Sequence, residues 1–150
     1  QNLLYVLSKI KVNSENVGLR FASFSKILKF DADIEVTPNF VIENSFTERE
    51  FIRGNWKFAL EKGKDEQKFV NGSFGATKKT LKEAGYYNEL ITTYGWDDSD
   101  IYKRLSSLVG CKTKFINADS IVHLEQDQEE RLKHQSVNKN FFLASNIFIR

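Results

Sequence analysis

Ile27-Leu28-Lys29-Phe30-Asp31-Ala32-Asp33-Ile34 is a short, mostly apolar run that delivers two carboxylates, one residue apart, where it ends. Four mostly apolar positions predict a strand buried on both faces, and such strands belong to parallel or mixed sheets. Open α/β sheets bind ligands beyond the carboxyl ends of their strands, which puts Asp31 and Asp33 where a polar site is expected. Alternation points the two side chains to opposite sides of a continuing strand; a turn there lets them converge. Carboxylate oxygens are hard donors suited to Mg²⁺ or Mn²⁺, ions that commonly bridge carboxylates to substrate phosphates. The alternative is an Asp-x-Asp in a solvated loop, and the neighbouring segments have to separate the two.

A chain of 150 residues has room for one domain with one core, so residues 1–150 are expected to form a single unit. Apolar residues at 41% and charged residues at 28% fit a globular chain and exclude a disordered one. A net charge of +2 is too small to argue for nucleic acid or a membrane surface as partner. No apolar run reaches the length of about 18 residues that a membrane span needs. Cys111 is the only cysteine, which excludes an intrachain disulfide and a thiolate metal cluster. Together with the lack of an opening signal sequence, it favours a cytoplasmic location or association with the cytoplasmic side of a membrane.

Outward from the aspartates, residues 3–12 are apolar and fit strand or helix. Asn13-Ser14-Glu15-Asn16 reads as a polar break in which Ser14 or Asn16 caps a helix through Ala22. The only proline, in Val36-Thr37-Pro38-Asn39-Phe40, marks a turn and a helix start. Phe69-Val70-Asn71-Gly72-Ser73-Phe74-Gly75-Ala76 is rich in small residues, implying close backbone approach. Thr77 is placed to cap a helix over 78–84 that Gly85 ends in a left-handed turn. The clearest helix starts at Asp97 or Asp98, carries Ile101, Leu105 and Leu108 on one face, and stops at Gly110. Lys112 to Leu124 reads as strand broken around Asn117-Ala118-Asp119. Asp127 opens a last helix, within which His134 has no assigned role.

Gly95-Trp96-Asp97-Asp98-Ser99-Asp100 crowds three carboxylates at a helix start. Capping explains one of them, at about 0.3–1 kcal/mol, and explains three poorly because like charges repel. A general base among them is the competing account, contributing about 10²–10⁴-fold in rate when well placed. Trp96 offers a flat apolar face of the kind that suits the C–H face of a sugar ring. His123 closes the apolar run Ser120-Ile121-Val122, and is either a satisfied core or edge histidine or a ligand.

In combination these segments resemble the catalytic part of a nucleotide-sugar glycosyltransferase of the GT-A fold. The resemblance is to family-two enzymes and to the C-terminal segment of β-1,4-galactosyltransferases and chondroitin-type polymerases. Asn16-x-Gly18-x-x-x-Ala22, followed nine residues later by Asp31-x-Asp33, is similar to the family's helix and strand leading to its Asp-x-Asp motif. Asn71 to Ala76 resembles its small-residue segment. Tyr94 to Leu105 resembles its Trp-Gly-x-Glu-Asp-x-Asp helix start, with Asp97 in the place of Glu. Ile121-Val122-His123 is similar to its strand ending in a metal-binding histidine. Phe24 stands where the family often has Gly.

The resemblance implies an α/β fold with a GT-A-like (Rossmann-like) mixed sheet flanked by helices. Only 30 residues precede Asp31, so it also implies a fold truncated at its N-terminus, the C-terminal half of the whole. It implies transfer of a sugar from a UDP-sugar donor to a hydroxyl of a saccharide or glycan acceptor, with inversion and dependence on Mn²⁺ or Mg²⁺. Residue by residue, Asp31 contacts the donor's ribose or the metal, Asp33 binds the metal, and His123 is a further metal ligand. Asp98 is the catalytic base and Asp97 binds the acceptor, while Gly72, Ser73 and Trp96 shape the sugar pocket. Two other readings remain. One is a non-catalytic sugar- or partner-binding remnant of the same fold. The other is a haloacid-dehalogenase-type Mg²⁺-dependent phosphatase, which shares Phe30-Asp31-Ala32-Asp33 and a later acidic pair but has Glu35 where that family has Thr or Val.

Overall fold

The structure is a computed structural model that describes residues 11–55, 57, 61, 70–91 and 95–124. The readings made on residues 3–10, Phe69, Tyr94, the helix opened by Asp127 and His134 lie outside the described residues.

Helix α1 (Lys11–Phe21) leads into β1 (Lys26–Lys29) and β2 (Ile34–Val36), followed by the short helix α2 (Phe40–Glu43) and β3 (Glu50–Arg53). A 3₁₀ turn at Val70–Gly72 precedes β4 (Phe74–Thr77), α3 (Lys78–Glu83) and α4 (Asp97–Ser107). Strand β5 (Lys112–Phe115), a second 3₁₀ turn at Ala118–Ser120 and β6 (Ile121–His123) complete the described elements. The polar stretch at 13–16 does not break the chain; Ser14 and Asn16 lie inside α1 rather than capping it. The amide of Asn16 instead pairs with the backbone of Tyr87, accepting from its N–H at 2.8 Å and donating to its carbonyl at 3.0 Å. That bidentate bond is satisfied only in tertiary contact, so it overrides a local capping preference.

The main sheet has the order β1-β4-β3-β5 and is mixed: β4 runs antiparallel to β1 and β3, and β3 runs parallel to β5. Strand β1 is not buried on both faces as expected: Lys26 is exposed, Ile27 buried, and Leu28 and Lys29 half-buried. Its only neighbour among the described strands is β4, so among those strands it stands at an edge of the sheet. Period-2 alternation sorts the sheet into two faces. Ile27, Phe51, Phe74 and Ala76 point to one face and pack with Leu19, Leu81, Ile101, Tyr102 and Leu105 from the helices and with Tyr87 from the bend after α3. Ile52 points to the other, toward Phe40, Phe46, Val70, Ile116 and Ile121, with Leu28 alongside.

Two glycines let these layers close. Gly75 sits between Leu28 and Ile52 in the register, and a Cβ there would lie 2.6 Å from Leu28 Cδ2 and 2.9 Å from Ile52 Cγ1. At Gly54 a Cβ would lie 2.0 Å from the carbonyl oxygen of Val70, which is backbone and cannot give way. Helix α3 has the expected cap, with Thr77 Oγ1 accepting from Thr80 N–H at 3.2 Å, and Gly85 follows it at φ +80°.

Candidate functional site

The carboxyl ends of β1 and β3 lie at one end of the sheet, where β4 begins, so Lys29, Phe74 and Arg53 stand in one cross-strand row. Beyond β1 the chain turns at once, with Ile34 N–H donating to the Asp31 carbonyl at 3.2 Å. That turn sends the two aspartates to different places. Asp33 enters the small β2–β6 ribbon, where Ile34 pairs with His123 and Leu124 N–H donates to the Asp33 carbonyl at 2.8 Å. The register sets Asp33 Oδ2 3.1 Å from His123 Nε2, with both side chains buried. A carboxylate oxygen beside an imidazole nitrogen is a donor pair that fits a divalent first-row ion such as Mn²⁺. Among the described residues, no three His, Cys, Asp or Glu side chains form a group able to hold a metal ion. The structure thus joins Asp33 to His123 and places Asp31 elsewhere, against Lys29.

Asp31 Oδ1 accepts from Lys29 Nζ at 2.8 Å, and the same ammonium donates to the Gly72 carbonyl at 3.1 Å. The Asp31 carboxylate lies close against Gly72, where a Cβ would be 2.2 Å from Oδ2 and would turn the side chain away. Beside it, Ser73 Oγ is buried and has no hydrogen-bond partner among the described residues. Lys29 Nζ also lies 3.4 Å from Glu15 Oε1 of α1 and 3.6 Å from Asp98 Oδ1 of α4. Burial acts to lower the Lys29 pKa, but the charges of Asp98, Asp31 and Glu15 outweigh it and hold the ammonium well above its ordinary value.

The start of α4 places its three carboxylates in three different surroundings. Gly95 and Trp96 both have positive φ, 95° and 71°, which swings the chain so that the helix begins at Asp97 with Trp96 half-exposed at the cap position. Asp100 is buried and takes Arg104 Nε at 2.9 Å one turn later. Arg104 in turn donates to the carbonyls of Ala84 and Tyr86, fastening α4 to the end of α3. Asp97, the expected acceptor contact, is 1% exposed. Asp98 is the most accessible of the three, and its Oδ1 accepts from Tyr87 Oη at 3.0 Å. Burial, then the charge of Asp98, pushes the Tyr87 phenol well above its ordinary pKa, so it remains a donor.

Lys29, Glu15, Tyr87 and Tyr102 escaped the sequence reading. Lys29 carried a usable signal, since it shares the inward face of β1 with Ile27. Tyr87 and Tyr102 carried none beyond their hydrophobicity. Tyr102 Oη donates to the Asn71 carbonyl at 2.6 Å, and the guanidinium of Arg53 lies 4.3 Å above its ring while donating to Asn71 Oδ1 at 2.6 Å. These contacts hold the Asn71-Gly72-Ser73 segment against Asp31. A cavity of about 590 Å³ lies at the opposite end of the sheet, lined by residues such as Phe24, Lys26, Thr77 and Lys79. None of the candidate residues lines it.

No protein-family model and no curated protein matches the chain. Among solved structures it is similar to the catalytic domain of Drosophila β1,4-galactosyltransferase 7 in complex with xylobiose, with a TM-score of 0.64 and 14% identity. That match covers 88% of this chain and 59% of the other. A mutant of the same enzyme in complex with manganese, UDP-Gal and xylobiose matches with a TM-score of 0.63, 14% identity, and coverage of 87% and 58%. The chain therefore spans about 59% of the length of the structure it resembles. The likeness is one of fold, and by it this mixed-sheet α/β chain has the GT-A architecture of the galactosyltransferases.

Proposed function

We propose that the protein is a metal-dependent glycosyltransferase that moves a sugar from a UDP-sugar to a hydroxyl of a saccharide acceptor, with inversion. The observation that carries this reading is the meeting of Asp31, from the end of β1, and Asp98, from the start of α4, around one ammonium on a GT-A fold. The galactosyltransferase mutant of this fold is a complex with manganese, UDP-Gal and xylobiose, which supports the same classes of ligand here.

Asp31, half-exposed at the strand end, is set to accept from the donor's ribose hydroxyls. Asp33 and His123 are the residues that would hold Mn²⁺ or Mg²⁺, whose chemistry is to offset the negative charge that grows on the departing diphosphate. Asp98 takes the proton from the acceptor hydroxyl as its oxygen attacks the anomeric carbon from the face opposite the diphosphate, which inverts that centre. Trp96 offers its ring to the apolar face of the sugar, and Gly72 and Ser73 bring backbone and a buried hydroxyl to the pocket floor.

Calorimetric titration of UDP with and without Mn²⁺ tests the donor half. Binding is expected to require the ion, and Asp33→Ala is expected to abolish the Mn²⁺-dependent binding; unchanged binding in the variant removes the metal-site assignment. For the acceptor half, Asp98→Asn is expected to keep UDP binding and to cut transfer by at least about 10²-fold. Transfer at the wild-type rate means that Asp98 is not the base.

A sugar-binding module of the same fold, without turnover, is the second reading. It is favoured by the donor set, which supplies a pair rather than a trio of metal-binding groups among the described residues. UDP or saccharide binding without UDP release from UDP-galactose would support it. The phosphatase reading needs its later acidic pair at a strand end, and Asp97 and Asp98 open a helix instead.

A further inference from the structure

We propose that Lys29 is a positioning residue for the transfer reaction, tying the donor-side carboxylate Asp31 to the acceptor-side carboxylate Asp98 so that one buried ammonium assembles both halves of the site. This rests on the glycosyltransferase reading above, and it assigns a role to a residue outside the Asp-x-Asp motif, the acidic helix start and the histidine strand.

Three independent elements converge on the ammonium: Glu15 from α1 at 3.4 Å, Asp31 from the β1–β2 turn at 2.8 Å and Asp98 from α4 at 3.6 Å. The Gly72 carbonyl, at 3.1 Å, adds the pocket floor as a fourth. Lys29 is delivered by the inward face of β1, which puts its stem beside the aromatic core and leaves 11% of the side chain exposed. An ammonium with three protons suits this arrangement better than a guanidinium fork, because the acceptors surround a point rather than lie in a plane. Without it, three carboxylates would share a space with little water, and their repulsion would drive Asp31 and Asp98 apart. Tyr87 Oη orients the same oxygen of Asp98 at 3.0 Å, so Lys29 supplies the charge and Tyr87 the direction. Asp97 and Tyr102 on α4 and Arg53 on β3 are further charged and titratable groups beside this cluster, and among them Tyr102 is neutral and feels both Asp31 and Asp98.

A kinetic double-mutant cycle tests this, with UDP release from UDP-galactose measured in the presence of Mn²⁺ and xylobiose. Lys29→Met is expected to lower kcat at least about tenfold in the wild-type background and less than about twofold in the Asp98→Asn background. Lys29→Arg, which keeps the charge and guards against loss of folding, is expected to fall between wild type and Lys29→Met and to lose its effect in the same background. A merely structural lysine would scale both backgrounds down equally, and equal fold losses overturn the proposal. If Asp98→Asn alone transfers at the wild-type rate, the base assignment fails instead, and a wild-type chain that releases no UDP removes the reading of the site and this role with it.

Discussion

Gly72 shows how much of the site depends on one missing methyl group. A Cβ there would meet Asp31 Oδ2 at 2.2 Å, and the atom it meets is the end of a side chain that can rotate away. Gly72→Ala is therefore expected to fold with little loss of thermal stability while turning Asp31 off Lys29. Binding of a UDP-sugar should weaken on the order of tenfold, the scale of one hydrogen bond to a charged group. Calorimetry on the variant checks this, and unchanged affinity would place the donor away from Asp31. Residues of this kind divide sharply in legibility. The Asp31-Ala32-Asp33 spacing and the strand-ending His123 are visible as motifs, because each sits at the point where an apolar run stops. Lys29 is visible only as an oddity within such a run, since its partners other than Asp31 come from α1, α4 and the 3₁₀ turn, all distant in sequence.

Among the elements, α4 carries the proposed base Asp98, and its place is held by a buried ion pair. Arg104 has 9% of its side chain exposed and Asp100 has 1%, and Arg104 also donates to the end of α3. Removing one member of a buried pair leaves the other uncompensated, at a cost of about 3–5 kcal/mol. Arg104→Met is expected to lose stability on that scale in urea unfolding. A loss below about 1 kcal/mol would show that α4 is held by its apolar face alone. The helix itself was legible from the 3.6-residue spacing of Ile101 and Leu105. Its cluster of aspartates was not, because capping, ion pairing to Arg104 and contact with Lys29 all ask for the same residue type at the same helix end.

Across the whole molecule, three protons in the aromatic core respond to alkali in the same direction. Tyr87 and Tyr102 are held well above the ordinary phenol value, by burial first and then by the charge of Asp98. Lys29 is raised too, its carboxylate neighbours outweighing its burial. All three keep their protons in the folded protein after the unfolded chain begins to lose them near pH 10. Their contribution is fully present below that pH and is lost as pH rises through it toward the folded values. Unfolding free energy should fall above about pH 10, less steeply in Tyr87→Phe. Urea titrations at a series of pH values measure this, and a flat profile to pH 11 would place these groups in contact with water.

By itself the sequence determined the pieces whose energetics are local. The Thr77 cap and Gly85 turn of α3, the period of α4, the break at Asn117-Ala118-Asp119 between β5 and β6, and the strand that presents Asp31-Ala32-Asp33 all follow from contacts within a few residues. Tertiary structure alone decided the sheet order β1-β4-β3-β5, the half-exposed state of β1, and the use of Asn16 as a clamp on Tyr87 rather than a cap. It also decided that Asp33 meets His123 across 90 positions while Asp31 turns to Lys29. Strand register and buried ion pairs depend on which distant groups the folded chain brings together, and local spacing carries no record of that choice.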